Sequence, residues 1–375
     1  MKVLIIAPNI SKPYLGPSAV AYNTLRGFLK IDEELKSNGV KITFLSINDE
    51  IERKEVTENI EIIGSKRFPL VTFTGEIQAL INRMRNRMGN FDVVHSHNLY
   101  ELAPWLFKKK SIKIYHLHGL AWKEKKYSGF FANIWVPLYE VRLKLYWNKF
   151  NKIVTVSQYN LSELSKKGFE VNNVLVIENP VSEEFFKVNK NFENMILYPA
   201  GLTPRKNHIG FLRALSLIKE SIRDFKVVIT GTGNKKYIKK LRNIIIKENL
   251  NNITFTGRIP YDKLLELYSR ASIVTLLSFE ESFGMAIAEA MATGTPVLAS
   301  SIPVFRYIVK ENETGLLADP NDPKDIAEKL LNLINDENLR KRMGREARKE
   351  AERRWRAEIV ARSTLELYLS VYQSG

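Results

Sequence analysis

The chain is 375 residues long, carries no cysteine, and has 45% apolar residues and a formal net charge of +16. That length points to two domains, that composition excludes a disordered chain, and the missing thiols exclude a disulfide framework, a thiolate metal site and a catalytic cysteine. The charge brings polyanions into consideration as partners: nucleic acid, a phosphate-bearing ligand or an anionic membrane.

The first apolar run, residues 3–7, is too short for a signal segment and reads as a buried first strand. No later run approaches the ~20 residues that a membrane-spanning helix needs. Further strands are predicted at 41–45, 60–63, 93–95, 113–117, 153–156 and 174–177, with helical periodicity between most of them, as at 19–35 and 134–150. Short apolar strands alternating with helices are the mark of a parallel sheet covered on both faces. Four of the five histidines fall at two strand ends, His95-Ser96-His97 and His116-Leu117-His118-Gly119. Histidines so placed are either structural or aimed together into a cleft.

Residues 108–152 hold eleven Lys/Arg against Glu124 and Glu140, a balance of +9. Within them, residues 122–150 are rich in Trp, Tyr and Phe. A packed core with a solvated basic face is one reading, and a helix lying in an anionic membrane interface is the sharper one. RNA binding is the third, but no RNP, KH or helix-turn-helix pattern accompanies the stretch.

Residues 178–191 are polar, aperiodic and contain Pro180, which makes them the expected linker. The series of strands then restarts at 195–199, 226–230, 253–256, 273–277 and 297–299. After Asp322 the chain reads as helical, ending in an amphipathic helix over 358–372. Two doubly wound domains result, and ligands of such sheets bind outside the carboxyl ends of the strands. The expected organisation is 1–182, 183–357, and a final helix 358–375 packing back on the first domain.

The stretch SFEESFGMAIAEAMATGTPV, residues 278–297, places Glu281 and Glu289 around a Ser282-Phe283-Gly284 turn between a buried strand and a helix of small residues. A helix N-terminus at a strand's carboxyl end offers free N–H groups and a partial positive charge to an anion. Gly284 allows a ligand close to the backbone, and Glu289, about a turn into the helix, can accept from a vicinal diol. The competing reading makes Glu281 a helix cap and Glu289 a solvated side chain.

This stretch resembles the E-x7-E region of retaining glycosyltransferases of family four, whose members have the GT-B fold of two facing Rossmann-like domains. Only Ser282 departs from the usual pattern. The resemblance extends over most of the chain and is stronger in the second half. It implies that Tyr198–Asn207 is the donor-diphosphate loop, with Lys206 in the family's lysine position. The family's arginine position is Gly201 here, and the neighbouring Arg205 is the expected substitute, since a guanidinium suits bidentate phosphate contact. A solvated turn is the alternative for both cations. The resemblance further implies that Gly257 and Arg258 contact the base, that Gly16 packs on phosphate and sugar beside a Pro17 that lacks an N–H, and that His118 contacts the transferred sugar. Thr230-Gly231-Thr232-Gly233 lacks the rest of a dinucleotide fingerprint and reads as a turn near the donor.

The activity so implied is retaining, metal-independent transfer of a sugar from a nucleoside-diphosphate donor to an acceptor hydroxyl. His118 and Glu281 are the catalytic candidates. Gly16, Arg205, Lys206, Gly257, Arg258, Ser282, Phe283, Gly284, Met285 and Glu289 are the donor-binding ones. No H-x-x-x-H, D-x-D or EF-hand spacing supplies a metal site, and no cofactor is expected. The acceptor is expected to be a sugar, a lipid-linked sugar or a polysaccharide, and the location cytoplasmic, on the inner membrane face where 108–152 meets anionic lipid. No nucleic-acid partner is expected. Two alternatives stand beside this: a nucleotide-sugar epimerase of the same architecture, and a catalytically weak scaffold that binds lipid or nucleic acid.

Overall fold

The computed structural model describes residues 1–8, 10, 17–47, 53–65, 90–97, 99 and 110–374. The chain divides into two compact units. The first comprises Met1–Trp122, Phe130–Pro180 and Arg356–Gly375, and the second Lys123–Gly129 and Val181–Trp355. The chain thus passes between units at 180/181 and 355/356, and the short segment Lys123–Gly129, expected in the first domain, goes with the second.

Among the described residues, the first unit has an eight-stranded sheet made of β1 (Lys2–Pro8), β2 (Lys41–Ile47), β3 (Lys54–Glu55), β4 (Ile60–Ser65), β5 (Val93–Ser96), β6 (Ile112–Leu117), β7 (Lys152–Thr155) and β8 (Val174–Val176). Their order is β3-β4-β2-β1-β5-β6-β7-β8, and all pairings are parallel except β3 on β4. Strand β1 shows why both faces are buried. Val3, Ile5 and Ala7 join Phe28, Phe44 and Tyr368 in one cluster, while Leu4 and Ile6 join Val94, Leu143, Trp147 and Ile153 in another. A strand apolar at every position can only sit between two layers.

The predicted helix 19–35 is two helices, Pro17–Lys30 and Asp32–Ser37, broken at Ile31 where the backbone leaves helical geometry. The final helix, Ala357–Gln373, packs on Pro17–Lys30 of the first unit. A Cβ on Gly27 would lie 2.2 Å from the Ala357 carbonyl oxygen, so that crossing tolerates no side chain there. Lys30–Glu358 at 2.9 Å and Arg362–Glu34 at 2.9 Å flank it.

The second unit has a six-stranded parallel sheet: β9 (Glu193–Pro199), β10 (Lys226–Thr230), β11 (Ile253–Gly257), β12 (Ala271–Leu276), β13 (Val297–Ser300) and β14 (Gly315–Ala318), in the order β11-β10-β9-β12-β13-β14. Strands β3 and β14 have no counterpart in the sequence reading. The residues read as a linker are packed: Val181, Phe185 and Phe186 are buried, and Phe185 meets Tyr261 and Tyr268 edge-on. Two aromatics in a polar stretch carry enough apolar area to order it. Both sheets are doubly wound. In the second, chain order reverses between β9 and β12, the place where ligands of such sheets bind.

Candidate functional site

Two loops leave that reversal point, one after β9 and one after β12. The first runs through a 3-10 turn, Pro204–Lys206, into the helix His208–Leu217. Asn207 joins them in the left-handed region (φ 51°), where its side chain accepts from the Gly210 N–H at 3.1 Å and donates to the Pro320 carbonyl at 2.7 Å. An Asx cap of this kind fixes the direction in which the two preceding cations point. The second loop ends at Gly284 (φ 92°), which opens the helix Met285–Ala292. A Cβ on Gly284 would meet the Phe305 ring at 2.3 Å, so glycine is required there for packing as well as for backbone geometry.

The loops are tied to each other. The Tyr198 hydroxyl donates to the Lys206 carbonyl and accepts from the Leu277 N–H at 2.9 Å, and the Phe279 N–H donates to the Arg205 carbonyl at 2.9 Å. Glu281 thereby comes against both cations: Lys206 Nζ pairs with its Oε1, and Arg205 Nη1 lies 3.4 Å from its Oε2. Arg205 also donates to the Glu280 carbonyl at 2.8 Å and lies 3.5 Å from Glu124. Burial pushes the Glu281 carboxyl up, but Lys206 and Arg205 more than offset this and hold it below the ordinary carboxylate range. The three residues were predicted to share a site, and the structure brings them into contact. The cap reading of Glu281 gives way to an ion-paired acid.

Glu289 lies one turn inside the helix and accepts from the Tyr268 hydroxyl at 2.9 Å. Desolvation pushes its carboxyl up to about 7, against the pull of that hydrogen bond. It is half-buried and therefore not the solvated side chain of the competing reading. Small residues dominate this helix because it lies against Glu337–Trp355, where Gly344 approaches so closely that a Cβ would stand 2.2 Å from the Gly294 carbonyl oxygen.

The remaining candidates separate. The Phe283 ring is buried edge-on to Trp355, which leaves only its backbone to a ligand. Ser282 and Met285 are half-buried at the helix entry. Gly257 (φ 69°) and the exposed Arg258 end β11, at the same carboxyl edge but on the outermost strand. At Gly201 a Cβ would meet only the Thr232 oxygen, at 3.6 Å, so the missing arginine is a matter of sequence and not of space. Gly16 lies outside the described residues. Tyr198 and Asn207 were expected only as the ends of the diphosphate loop, and Tyr268 was not expected at the site at all. The available signal was a tyrosine hydroxyl on a buried element, which needs a polar partner.

In the first unit, β5 and β6 carry four stacked imidazoles. His116 and His118 have ring centroids 4.3 Å apart, and His97 lies 4.6 Å from His116 and 4.9 Å from His118. His97 Nδ1 and His118 Nε2 share a hydrogen bond at 2.8 Å, and His95 Nδ1 meets the Tyr368 hydroxyl at 2.6 Å. Desolvation lowers all four, His118 to about 4 and His95 to about 3 with His118 adding to the effect. His118 is therefore a neutral, hydrogen-bonded member of a cluster.

Known proteins match both halves of the chain. The model of the Glycosyltransferase Family 4 matches residues 28–185, and that of Glycosyl transferases group 1 matches residues 181–350. A glycosyltransferase of Methanocaldococcus jannaschii is 29% identical over 92% of this chain and 91% of its own. The phosphatidyl-myo-inositol mannosyltransferase of Mycobacterium leprae is 25% identical over 76% of this chain and 75% of its own. Among solved structures, sucrose-phosphate synthase from Thermosynechococcus elongatus superposes with a TM-score of 0.79 at 17% identity, covering all of both chains. Anabaena HepE, in complex with UDP and glucose, superposes at 0.72 with 18% identity over 99% of this chain and all of its own. These two are likenesses of fold.

Proposed function

Since the chain belongs to glycosyltransferase family 4 and is a glycosyltransferase, we propose that it moves a sugar, with retention of configuration, from a nucleoside-diphosphate donor to an acceptor hydroxyl. The observation that carries this reading is the Lys206–Glu281–Arg205 cluster at the reversal point of the second sheet, beside the N-terminus of Met285–Ala292. In this reading the diphosphate takes Lys206 and Arg205 as its counter-ions, so that no metal is needed there. The N–H groups after Gly284 receive a phosphate or sugar oxygen, Glu289 accepts from the ribose diol, and Gly257 with Arg258 borders the base. Glu281 orients the sugar hydroxyls.

A carboxylate held by two cations is a weak nucleophile, which favours attack by the acceptor itself. Its oxygen bonds to the anomeric carbon on the face from which the diphosphate leaves, and its proton passes to a departing phosphate oxygen. Positioning, and fixed cations where charge develops, would supply the rate. Incubating the chain with a panel of nucleotide sugars tests this. Donor consumption with an α-linked donor giving an α-linked product supports the reading, whereas inversion or no turnover with any donor refutes it. The curated relatives described above are named as glycosyltransferases, and the epimerase alternative finds no support among them.

Glu289 gives the reading a pH signature. Its folded carboxyl is raised to about 7, so in the ligand-free protein it contributes stability that is full below the unfolded carboxyl range and lost as pH rises through about 7. Ribose binding should run the other way, because only the ionised form accepts from both hydroxyls. Donor affinity is expected to rise between pH 6 and pH 8 while ligand-free stability falls, and Glu289→Gln should flatten both slopes. Calorimetric titration and denaturant melts across that range provide the check.

We further propose that the acceptor is lipid-linked and that the first unit meets an anionic membrane. Helix Ala132–Trp147 buries Ala132, Val136, Leu143 and Trp147 on one stripe, yet leaves Ile134, Trp135, Leu138, Val141 and Leu145 exposed on the other side. Phe130 and Phe131, just before it, are 76% and 78% exposed. So large an unpartnered apolar surface marks an interaction site, and exposed Lys144 and Lys149 fit it to anionic headgroups. Among the described residues no helix is long and apolar enough to cross a membrane. Vesicles containing anionic lipid should sediment the chain, and Phe131→Ser with Leu138→Ser should release it. Equal binding of that variant, or self-association in place of vesicle binding, refutes the membrane reading.

A further inference from the structure

The buried histidine cluster of the first unit has more unpaired nitrogens than packing accounts for. Strands β5 and β6 pair in parallel with His95 opposite Ile114 and Ser96 opposite Tyr115, and just beyond them the rings of His97 and His116 lie 4.6 Å apart. Alternate residues of a strand share a face, so His95 and His97 stand beside His116 and His118 on one side of the sheet. Nε2 of His95, Nε2 of His97 and both ring nitrogens of His116 are buried without a hydrogen-bond partner. Each such group costs about 1–3 kcal/mol when left unpaired, and four on three adjacent rings is a concentration that calls for a ligand.

We propose that His95, His97 and His116 bind one divalent first-row transition ion of the Zn2+ class. One donor nitrogen from each of the three lies within 4.8 Å of the others. Tetrahedral coordination at Zn–N distances near 2.0–2.1 Å needs a spacing of ~3.3 Å, so the stacked rings must turn and draw together around the ion as it binds. Its outer partners are already in place. The Tyr368 hydroxyl holds Nδ1 of His95, and His118 holds Nδ1 of His97, which turns the opposite nitrogen of each ring inward, as histidine ligands usually require. An all-imidazole set selects borderline transition ions over Mg2+ or Ca2+, which prefer oxygen. The ion would belong to the first unit. It would not be the counter-ion of the donor diphosphate, a role given above to Lys206 and Arg205. The ligands come from two strands, which is why no single-segment spacing in the sequence points to them.

The test is equilibrium dialysis of the untagged, chelator-treated full chain against Zn2+, followed by elemental analysis, with Co2+ as a spectroscopic probe. One ion per chain is expected, with the visible absorption of tetrahedral Co2+. His97→Ala with His116→Ala should abolish it. Because that variant removes two buried rings, Tyr368→Phe provides a gentler check, with affinity expected to fall about 10–100-fold as an outer partner is lost. No stoichiometric Zn2+ on the wild-type chain, octahedral Co2+, or unchanged affinity in Tyr368→Phe would overturn the proposal.

Discussion

Lys206→Met is expected to lower kcat/KM for sugar transfer by about 10²–10³-fold, the usual cost of removing one preorganised group at a site of developing charge. Lys206 is the cation in closest contact with Glu281, and its loop is pinned through its own carbonyl by Tyr198. Methionine keeps the stem and removes only the charge. Glu281 then keeps Arg205 at 3.4 Å as its remaining partner of the two, so its carboxyl should rise and its burial should become less well compensated. The wild-type carboxyl is depressed, so it contributes stability above the unfolded carboxyl range that is lost as pH falls through the folded value. In Lys206→Met that contribution should be smaller, and its loss complete at a higher pH. Lys206→Arg should recover only part of the activity, because a planar fork does not replace a point charge. Steady-state kinetics beside acid unfolding of the three proteins separates catalytic loss from structural loss. Full activity in Lys206→Met would remove the diphosphate role.

Gly284→Ala is expected to destabilise the second unit severely. The added Cβ would stand 2.3 Å from the Phe305 ring at a backbone φ of 92°. Overpacking costs about 1–3 kcal/mol and the left-handed backbone about 1–2 kcal/mol more. Gly257→Ala is the internal control. Its φ is 69°, yet no atom lies within 4 Å of the new Cβ, so only the backbone cost remains. Denaturant midpoints should therefore drop about 1.5- to fourfold as far for Gly284→Ala. Donor binding should weaken in it as well, because the helix entry proposed to receive the phosphate is displaced. Equal midpoints would mean that Phe305 gives way freely.

The two sheets were legible because parallel strands buried on both faces read as unbroken apolar runs. Strand β1, whose residues 3–7 are fully buried, is the clearest case. Strands β3 and β14 were not, for different reasons. Lys54–Glu55 is two exposed charged residues paired only at an edge, and Gly315–Ala318 begins with a glycine that fits because a Cβ would meet Val297 at 2.5 Å. Neither fact has a local signature. In the candidate site, the meeting of Lys206 with Glu281 was legible, since both follow strand ends and both fall in the family pattern. Tyr198 and Tyr268 were not, since their hydroxyls act on residues 79 and 21 positions away. The histidines were visible as two clusters, but only the fold shows that the rings of His97 and His116 stack on one another.

The second unit is proposed to hold a nucleoside diphosphate through Lys206, Arg205 and Glu289. Calorimetric titration of UDP, GDP and ADP into the full chain, with chelator present, addresses it directly. One of them is expected to bind with a Kd of roughly 1 µM–1 mM, and Lys206→Met and Glu289→Ala are each expected to weaken it at least about tenfold, the loss of a charge-assisted contact. Failure of all three to bind, or undiminished binding in both variants, would contradict it.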